Sequence, residues 1–354
     1  MSVFSHPDFR NHEQVVFIAD ADTGLRAVIA VHNTTLGPAL GGCRMYPYAS
    51  DDDAIRDVLR LSHGMTYKAA MAGVHLGGGK SIIIGDPRSA KTEALLRSMG
   101  RAIRELGGRY IAGEDMGTDP ADMRVLRRET VSVSCLDVQD GGYGDPSPMT
   151  ALGVVQAIRA ALVEQRGSPS TAGVTVAIQG VGNVGLNLCR LLTEAGAKLV
   201  VCDSYAPSAQ RAADVYNALV VGPEEIYSSA ADIFAPCAVG GTLNPGTIPR
   251  LKATIVAGAA NNQLADEDCA RRLYERGILY VPDFVANGGG LIACAAEWYK
   301  TGSQKIEADV RKLYETCLSV LQTAAAENTY PVVVANRIVE QRLHRYGQRR
   351  AVTL

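Results

Sequence analysis

The sequence predicts an α/β protein of two domains, and three observations predict it. The chain has 354 residues, 47% hydrophobic and 20% charged, which is enough apolar material for two cores. From 174 to 285, short apolar runs (174–179, 198–202, 232–235, 254–257 and 278–281) alternate with helical or loop segments, as in a parallel sheet. Ahead of them lies DVQDGGYGDPSPMT, at about 138–150, so dense in Gly, Pro, Asp and Ser that it reads as an inter-domain hinge. We therefore expect a first domain over 1–138 that also receives the C-terminal helix, about 330–354, and a second domain over 139–329.

The elements follow in order. VVFIAD (15–20) and RAVIAVH (26–32) flank Asp22-Thr23-Gly24, the pattern of a hairpin that opens a sheet. Ser50 with Asp53 three residues on starts a capped helix, and Ile55, Val58, Leu59 and Ser62 outline one face of it until Gly73. Lys68 thus falls near its C-terminal end. Gly77-Gly78-Gly79 reads as a loop that feeds Lys80 into a β-branched strand over Ser81 to Ile84, closed by a turn at Gly85-Asp86-Pro87. Residues 89–106 carry Leu95, Met99, Ile103 and Leu106 at helical spacing and stop at Gly107-Gly108. Arg109-Tyr110-Ile111-Ala112 is the next strand, with Asp115 just past its end. Helical patterns return at 151–165 and at 305–345, the latter able to pack across both domains.

Composition removes whole classes of function. Net charge is −2 with no basic block, so the phosphate-neutralising surface that nucleic acids need is not expected. The first residues lack a signal-peptide pattern and no apolar run reaches bilayer length, so we expect a cytoplasmic protein without a membrane partner. Eight cysteines, Cys43, Cys135, Cys189, Cys202, Cys237, Cys269, Cys294 and Cys317, include no C-x-x-C pair and read as reduced, mostly buried thiols. His63 and His75 have no partners at metal-ligand spacing, and no metal site is predicted.

Gly180-Val181-Gly182-Asn183-Val184-Gly185 fits G-x-G-x-x-G, a weak signal by itself. Its setting makes it specific. A strand precedes it, a helix over 184–195 with Leu188, Leu191 and Leu192 follows, Gly196 stops that helix, and 198–202 is a second strand. This is a complete Rossmann-type unit. Gly180 permits the tight turn, Gly182 lets the backbone approach a pyrophosphate, Gly185 lets helix and strand touch, and the helix N-terminus offers unpaired N–H groups. Asp203 ends the second strand where an acid accepts both adenosine ribose hydroxyls and repels a 2′-phosphate, so NAD is the expected cofactor.

A dehydrogenase must also handle a proton while the nicotinamide takes the hydride. Lys68, after Met65-Thr66-Tyr67, and Lys80, after three glycines, lie in apolar or bare surroundings unlike those of a solvated surface lysine. If they converge, one ammonium holds a carboxylate while its charge and burial lower the pKa of the other, which becomes a general base. Asp115, in GEDMGT, is a candidate for proton exchange with an amino group; a plain turn acid is the alternative.

Together these motifs resemble the Glu/Leu/Phe/Val dehydrogenase family. The resemblance rests on TLGPALGGCRM, GMTYK, GGGK, GEDMGT, DPSPMTALGV, QGVGNVG, DIFAPCAVGG, AGAANNQL and PDFVANGGGLI, in that order along nearly the whole chain. It implies a substrate domain and a Rossmann domain with the amino acid in the cleft between them. It also implies that Lys68 holds the substrate carboxylate, that Lys80 activates the water that hydrolyses the imine, and that Asp115 assists proton transfer. Asn261 and Asn262 are implied to lie near the nicotinamide and the carboxylate, and Thr150 near the carboxamide. A homo-oligomer is implied as well.

The side chain of the substrate is implied to meet Leu40, Gly41, Met65, Gly113, Leu291 and Cys294, a set that is apolar or small and so disfavours glutamate. Gly113 is similar to phenylalanine-type relatives, where a missing methyl makes room for a ring, whereas Leu40 and Asp145-Pro146-Ser147-Pro148 suit the leucine type equally. The expectation is L-phenylalanine, with leucine or another branched-chain amino acid as the alternative. A 2-hydroxy-acid dehydrogenase would need a histidine–acid pair and an arginine, a motif the six histidines do not provide. A catalytically silent NAD-responsive regulator would fit better had Lys68, Lys80 or Asp115 been replaced.

Overall fold

The computed structural model describes residues 2–352, with side chains through Gln348. The chain forms two compact units, the first made of the segments up to Pro146, Ala293–Ser303 and from Val339 onward, the second of Ser147–Ile292 and Gln304–Ile338.

The first unit contains β1 (Gln14–Asp20), β2 (Leu25–Asn33), β3 (Ala39–Tyr46), α1 (Asp51–Ala72), β4 (Gly77–Ile84), α2 (Glu93–Glu105), β5 (Tyr110–Glu114) and α3 (Pro120–Arg127). Its sheet has the order β1-β2-β4-β3-β5. β2 runs antiparallel to β1 and β4, while β3 is parallel to β4 and β5. The hairpin turns at Gly24, whose φ of +73° suits glycine. On one face Ala27, Ile29, Cys43, Met45 and Ile83 pack with Leu95, Met99 and Ile103 of α2 and Met123 and Leu126 of α3. On the other, Val28, Ala30 and Ile82 pack with Ala54, Val58 and Leu59 of α1. Ser50 caps α1 by accepting the Asp53 N–H, and Gly73 closes it in the left-handed conformation.

The three glycines before Lys80 are not a loop but the first half of β4. They are bare because both faces are occupied: a Cβ on Gly78 would lie 2.0 Å from the Thr66 backbone nitrogen of α1, and one on Gly79 would lie 2.7 Å from the Tyr110 ring.

The second unit contains α4 (Ser147–Arg166), β6 (Thr175–Gln179), α5 (Asn183–Glu194), β7 (Lys198–Cys202), α6 (Ala206–Tyr216), β8 (Leu219–Val220), β9 (Ile233–Pro236), β10 (Ile255–Val256), α7 (Asp268–Glu275), β11 (Leu279–Tyr280) and α8 (Asp283–Ala286). Four further helices follow: α9 (Gly289–Tyr299), α10 (Ile306–Arg311), α11 (Leu313–Ala326) and α12 (Pro331–Val352). The sheet order is β11-β10-β9-β6-β7-β8, with every neighbouring pair parallel. That is the doubly wound order of a dinucleotide-binding domain, with its topological switch point between β6 and β9. Its core includes Ala177, Val200, Phe234, Val256, Leu273 and Tyr280. α9 and α12 each contribute residues to both units. Among the described residues no helix is long and apolar enough to cross a membrane.

Candidate active site

Strand alternation decides which candidates share a face. Ala39, Cys43 and Met45 of β3 and Ile83 of β4 belong to the α2 side, and Ile82 belongs to the α1 side. Leu40, Gly42 and Arg44, together with Gly78 and Lys80, therefore stand on the α1 side. Gly113 is paired with Gly42 in the register of β3 and β5 and joins them. Met65 and Lys68 lie on α1, the helix whose Thr66 backbone rests against Gly78. Gly41 points the other way, and its carbonyl accepts the Tyr110 hydroxyl at 2.7 Å.

Lys80 and Asp115 meet. Lys80, only 4% exposed, places Nζ 3.1 Å from Asp115 Oδ2. The same oxygen accepts Arg44 Nε at 2.6 Å, and Arg44 Nη1 donates to Asp57 Oδ2 at 2.8 Å. The Tyr48 hydroxyl donates to that Asp57 oxygen at 2.6 Å, which completes a chain of alternating charge from Asp57 to Lys80. Asp115 sits in a turn in which its own N–H donates to Thr118 Oγ1 at 3.0 Å. Gly42 makes the pair possible: a Cβ there would lie 2.6 Å from Asp115 Cβ and 2.9 Å from Lys80 Nζ.

Burial pulls the Lys80 ammonium below the ordinary lysine range, with Arg44 adding to the fall and Asp115 opposing it. For Asp115, burial pushes upward, but the Lys80 and Arg44 cations override it and hold the carboxyl at about 2. Glu114 next door behaves oppositely, pushed up to about 7 by burial and by the Asp145 and Asp119 carboxylates.

Gly113 and Cys294, both expected to meet a substrate side chain, are joined by a residue the sequence reading did not single out for the pocket. Cys135 Sγ lies 3.0 Å from where a Gly113 Cβ would sit and 2.7 Å from Cys294 Sγ. The space left by the missing methyl of Gly113 is thus at least partly filled by sulfur. Leu40 is buried beside Ile111 and Gly78, and Leu291 is buried in the second unit.

In the second unit the glycine loop has a distinct job at each position. Gly180 has a φ of +94° and a Cβ there would strike Ala238, a Cβ on Gly185 would lie 2.1 Å from the Gly180 carbonyl oxygen, and Gly182 faces open space. Gly182 is also the N-cap of α5 and supplies no side-chain cap, so the first N–H groups of the helix are left for another acceptor. Asn183 and Val184 form that first turn. The Asp203 carboxylate accepts the Val181 N–H at 2.8 Å and the Tyr205 N–H at 2.8 Å, which pins the loop to the end of β7. An open cradle, an uncapped helix start and a fixed carboxylate fit a dinucleotide.

Near the carboxyl end of β10, Asn261 Oδ1 accepts Asn287 Nδ2 at 3.0 Å, and the buried Asn287 Oδ1 has no partner among the described residues. Asn262 takes a φ of +52° while its carbonyl accepts the Gly241 N–H at 2.8 Å. Thr150 is in the first turn of α4, where a Cβ on Gly289 of α9 would lie 3.2 Å from its backbone nitrogen.

Arg44, Asp57, Tyr48, Gly42 and Cys135 carried no assigned role in the sequence. Arg44 was within reach of it, because it stands two residues from Gly42 on the same strand face. Asp57, on α1, and Cys135, beyond β5, are brought in by tertiary packing that no spacing announces.

Comparison with known proteins gives a consistent result. Residues 12–132 match the model of the Glu/Leu/Phe/Val dehydrogenase dimerisation domain, and residues 141–208 and 203–346 match the Glutamate/Leucine/Phenylalanine/Valine dehydrogenase model. A leucine dehydrogenase of Geobacillus stearothermophilus is 46% identical over 97% of this chain and 94% of that relative. A phenylalanine dehydrogenase of Bacillus thermotolerans is also 46% identical, over 96% of this chain and 90% of that relative. The crystal structure of L-tryptophan dehydrogenase from Nostoc punctiforme superposes with a TM-score of 0.79 at 43% identity, covering 95% of this chain and 97% of that one.

Proposed function

Because this chain belongs to the Glu/Leu/Phe/Val dehydrogenase family of amino-acid dehydrogenases, we propose that it catalyses reversible, NAD-dependent oxidative deamination of an apolar L-amino acid, with L-phenylalanine as the preferred substrate. The observation that carries the chemistry is the buried Lys80–Asp115 contact at 3.1 Å.

Bound NAD would accept the hydride from the α-carbon of the amino acid, held by the loop of Gly180, Val181, Gly182, Asn183, Val184 and Gly185, with Asp203, Thr150 and Asn261 as further contacts. The chain does the rest. Lys68 holds the substrate carboxylate, with Asn262 in support. Lys80, whose proton affinity burial has reduced, takes a proton from water, and the resulting hydroxide adds to the iminium carbon to give a carbinolamine. Asp115, ionised at neutral pH, relays that proton from Lys80 to the departing nitrogen, and Lys80, neutral again, takes the proton of the carbinolamine hydroxyl as the C–N bond breaks and the 2-oxo acid and ammonia leave. Leu40, Met65, Gly113, Leu291 and Cys294 are the residues we assign to the substrate side chain, and Gly41, which faces the other side of its strand, is left out of that set. The apolar or uncharged character of that set argues against glutamate.

A second reading, a branched-chain preference, is favoured by Cys135, whose sulfur fills part of the volume beside Gly113. Against it, a polarisable sulfur makes favourable contact with an aromatic edge. Initial rates of NADH formation on L-phenylalanine, L-tyrosine, L-tryptophan, L-leucine, L-valine and L-glutamate, with NAD and with NADP, separate the two. Phenylalanine fastest with NAD is expected; faster leucine or valine would replace the substrate but leave the mechanism, and no turnover with NAD still bound would favour the regulator. We further propose a homo-oligomer, supported by the match of 12–132 to a dimerisation domain, which light scattering tests directly.

A further inference from the structure

The deamination chemistry uses neither thiol of the Cys135–Cys294 contact, and that contact is a built one. The two sulfurs lie 2.7 Å apart, and the residues are 4% and 8% exposed. Cys135 follows β5 at some distance in a segment held to the second half of α9 on both sides of the thiols. Ser134 Oγ donates to the Cys294 carbonyl at 3.1 Å, and the Leu136 and Tyr143 N–H groups donate to the two Glu297 carboxylate oxygens at 3.2 Å each. Both backbones are therefore positioned independently of the sulfurs. Cys135 also stands at a φ of +63°, in the left-handed region where glycine would sit without strain. A side chain at such a position is held there by what it touches, and what it touches is the second thiol and the bare edge of Gly113.

We propose that Cys135 and Cys294 are a modification site, an oxidisable dithiol that closes to an intramolecular disulfide with peroxide. The balance is simple. One thiolate attacks the peroxide O–O bond and becomes a sulfenic acid with release of water; the second thiol then attacks that sulfur, forms the S–S bond and releases a second water. Two thiols lose two protons and two electrons, and hydrogen peroxide is reduced to two molecules of water. From the present separation of 2.7 Å the sulfurs need to close by only about 0.7 Å to reach a disulfide bond length. The hydrogen bond it shares with Cys135 and burial both raise the Cys294 thiol, which makes it a slow nucleophile, and the burial of both residues keeps bulky reagents away. Peroxide, small and neutral, is the oxidant suited to such a site.

The test is a thiol map that makes no use of enzymatic activity, so it stands apart from the proposed substrate and cofactor. The folded full chain is treated with hydrogen peroxide, quenched with catalase, unfolded in N-ethylmaleimide and digested without reductant for mass spectrometry. The expected result is a cross-linked peptide pair joining Cys135 to Cys294, loss of two alkylated thiols from the original eight, and recovery of all eight after reduction. The Cys135→Ser variant should lose none of its remaining thiols to a cross-link. Eight alkylated thiols after peroxide, sulfonic acids in place of the cross-link, or a disulfide between other cysteines would each overturn the proposal. The wild-type map decides it even if the variant does not fold.

Discussion

Arg44 shares with Lys80 a single Asp115 oxygen, so it bears on how strongly that carboxylate acts on the lysine. Its Nε takes the same Asp115 oxygen that faces Lys80, at 2.6 Å against 3.1 Å. If Lys80 is the general base, kcat/KM rises with pH as its ammonium loses a proton. The Arg44 cation lowers that proton affinity and the Asp115 anion raises it. Arg44→Met is therefore expected to move the acidic limb of the pH–rate profile to higher pH. Asp115→Asn should move it to lower pH while reducing the rate by about 10²–10⁴-fold, through loss of the proton relay. Profiles of both variants check this, and shifts in the same direction would assign the limb to another group. The stability sign is separate: Asp115 is held at about 2, below its unfolded range near 4, so its contribution is present above that range and is lost as pH falls toward about 2.

At the scale of elements, β4 shows where a sequence reading succeeds and where it stops. The hairpin, the Ser50 cap, the Gly73 stop of α1 and the βαβ unit around Gly180 were legible because each rests on local chemistry: a turn glycine, a capping hydroxyl, a period of apolar residues. Gly77-Gly78-Gly79 looked like a loop because nothing local says that α1 and Tyr110 press on its two faces. β8, two exposed residues long, is too short to show a period. The same contact makes a prediction. Gly78→Ala would drive a methyl into the Thr66 backbone at 2.0 Å, and a backbone cannot rotate away as a side chain does. It should therefore cost about 1–3 kcal/mol or more of stability, the range for overpacking, and displace the helix that carries Lys68. Thermal or denaturant unfolding of this variant measures the first effect. An unchanged midpoint would mean that α1 is not held against β4 as described.

For the whole molecule, the proposed function divides its parts between the two units, and of the candidate site the proposed nucleotide half was the more legible. Its glycines carry their reasons in a fixed spacing, whereas the Lys80–Asp115–Arg44–Asp57 network is assembled from β4, the turn after β5, β3 and α1, far apart in sequence. This division can be tested by taking one charge from each unit. Lys80→Met should abolish turnover yet leave NAD binding unchanged, since the cradle of Gly180 to Gly185 and Asp203 belongs entirely to the second unit. Asp203→Asn should do the converse. The amide oxygen can still accept the Val181 N–H, so that contact of the loop is kept, while the acceptor for the Tyr205 N–H and the negative charge are lost. Losing a charge-assisted hydrogen bond to a ribose hydroxyl is worth about 1.5–3 kcal/mol, so affinity for NAD is expected to fall by roughly 10–100-fold. Rates at saturating NAD should stay close to the parent enzyme. Because the anion that repels a 2′-phosphate is gone, the ratio of NADP to NAD use should also rise. Calorimetric titration of both nucleotides into both variants reads each term separately. Weakened NAD binding in Lys80→Met would show that the lysine contributes to nucleotide affinity and break the division, and an unchanged nucleotide ratio in Asp203→Asn would move the adenosine end away from that carboxylate.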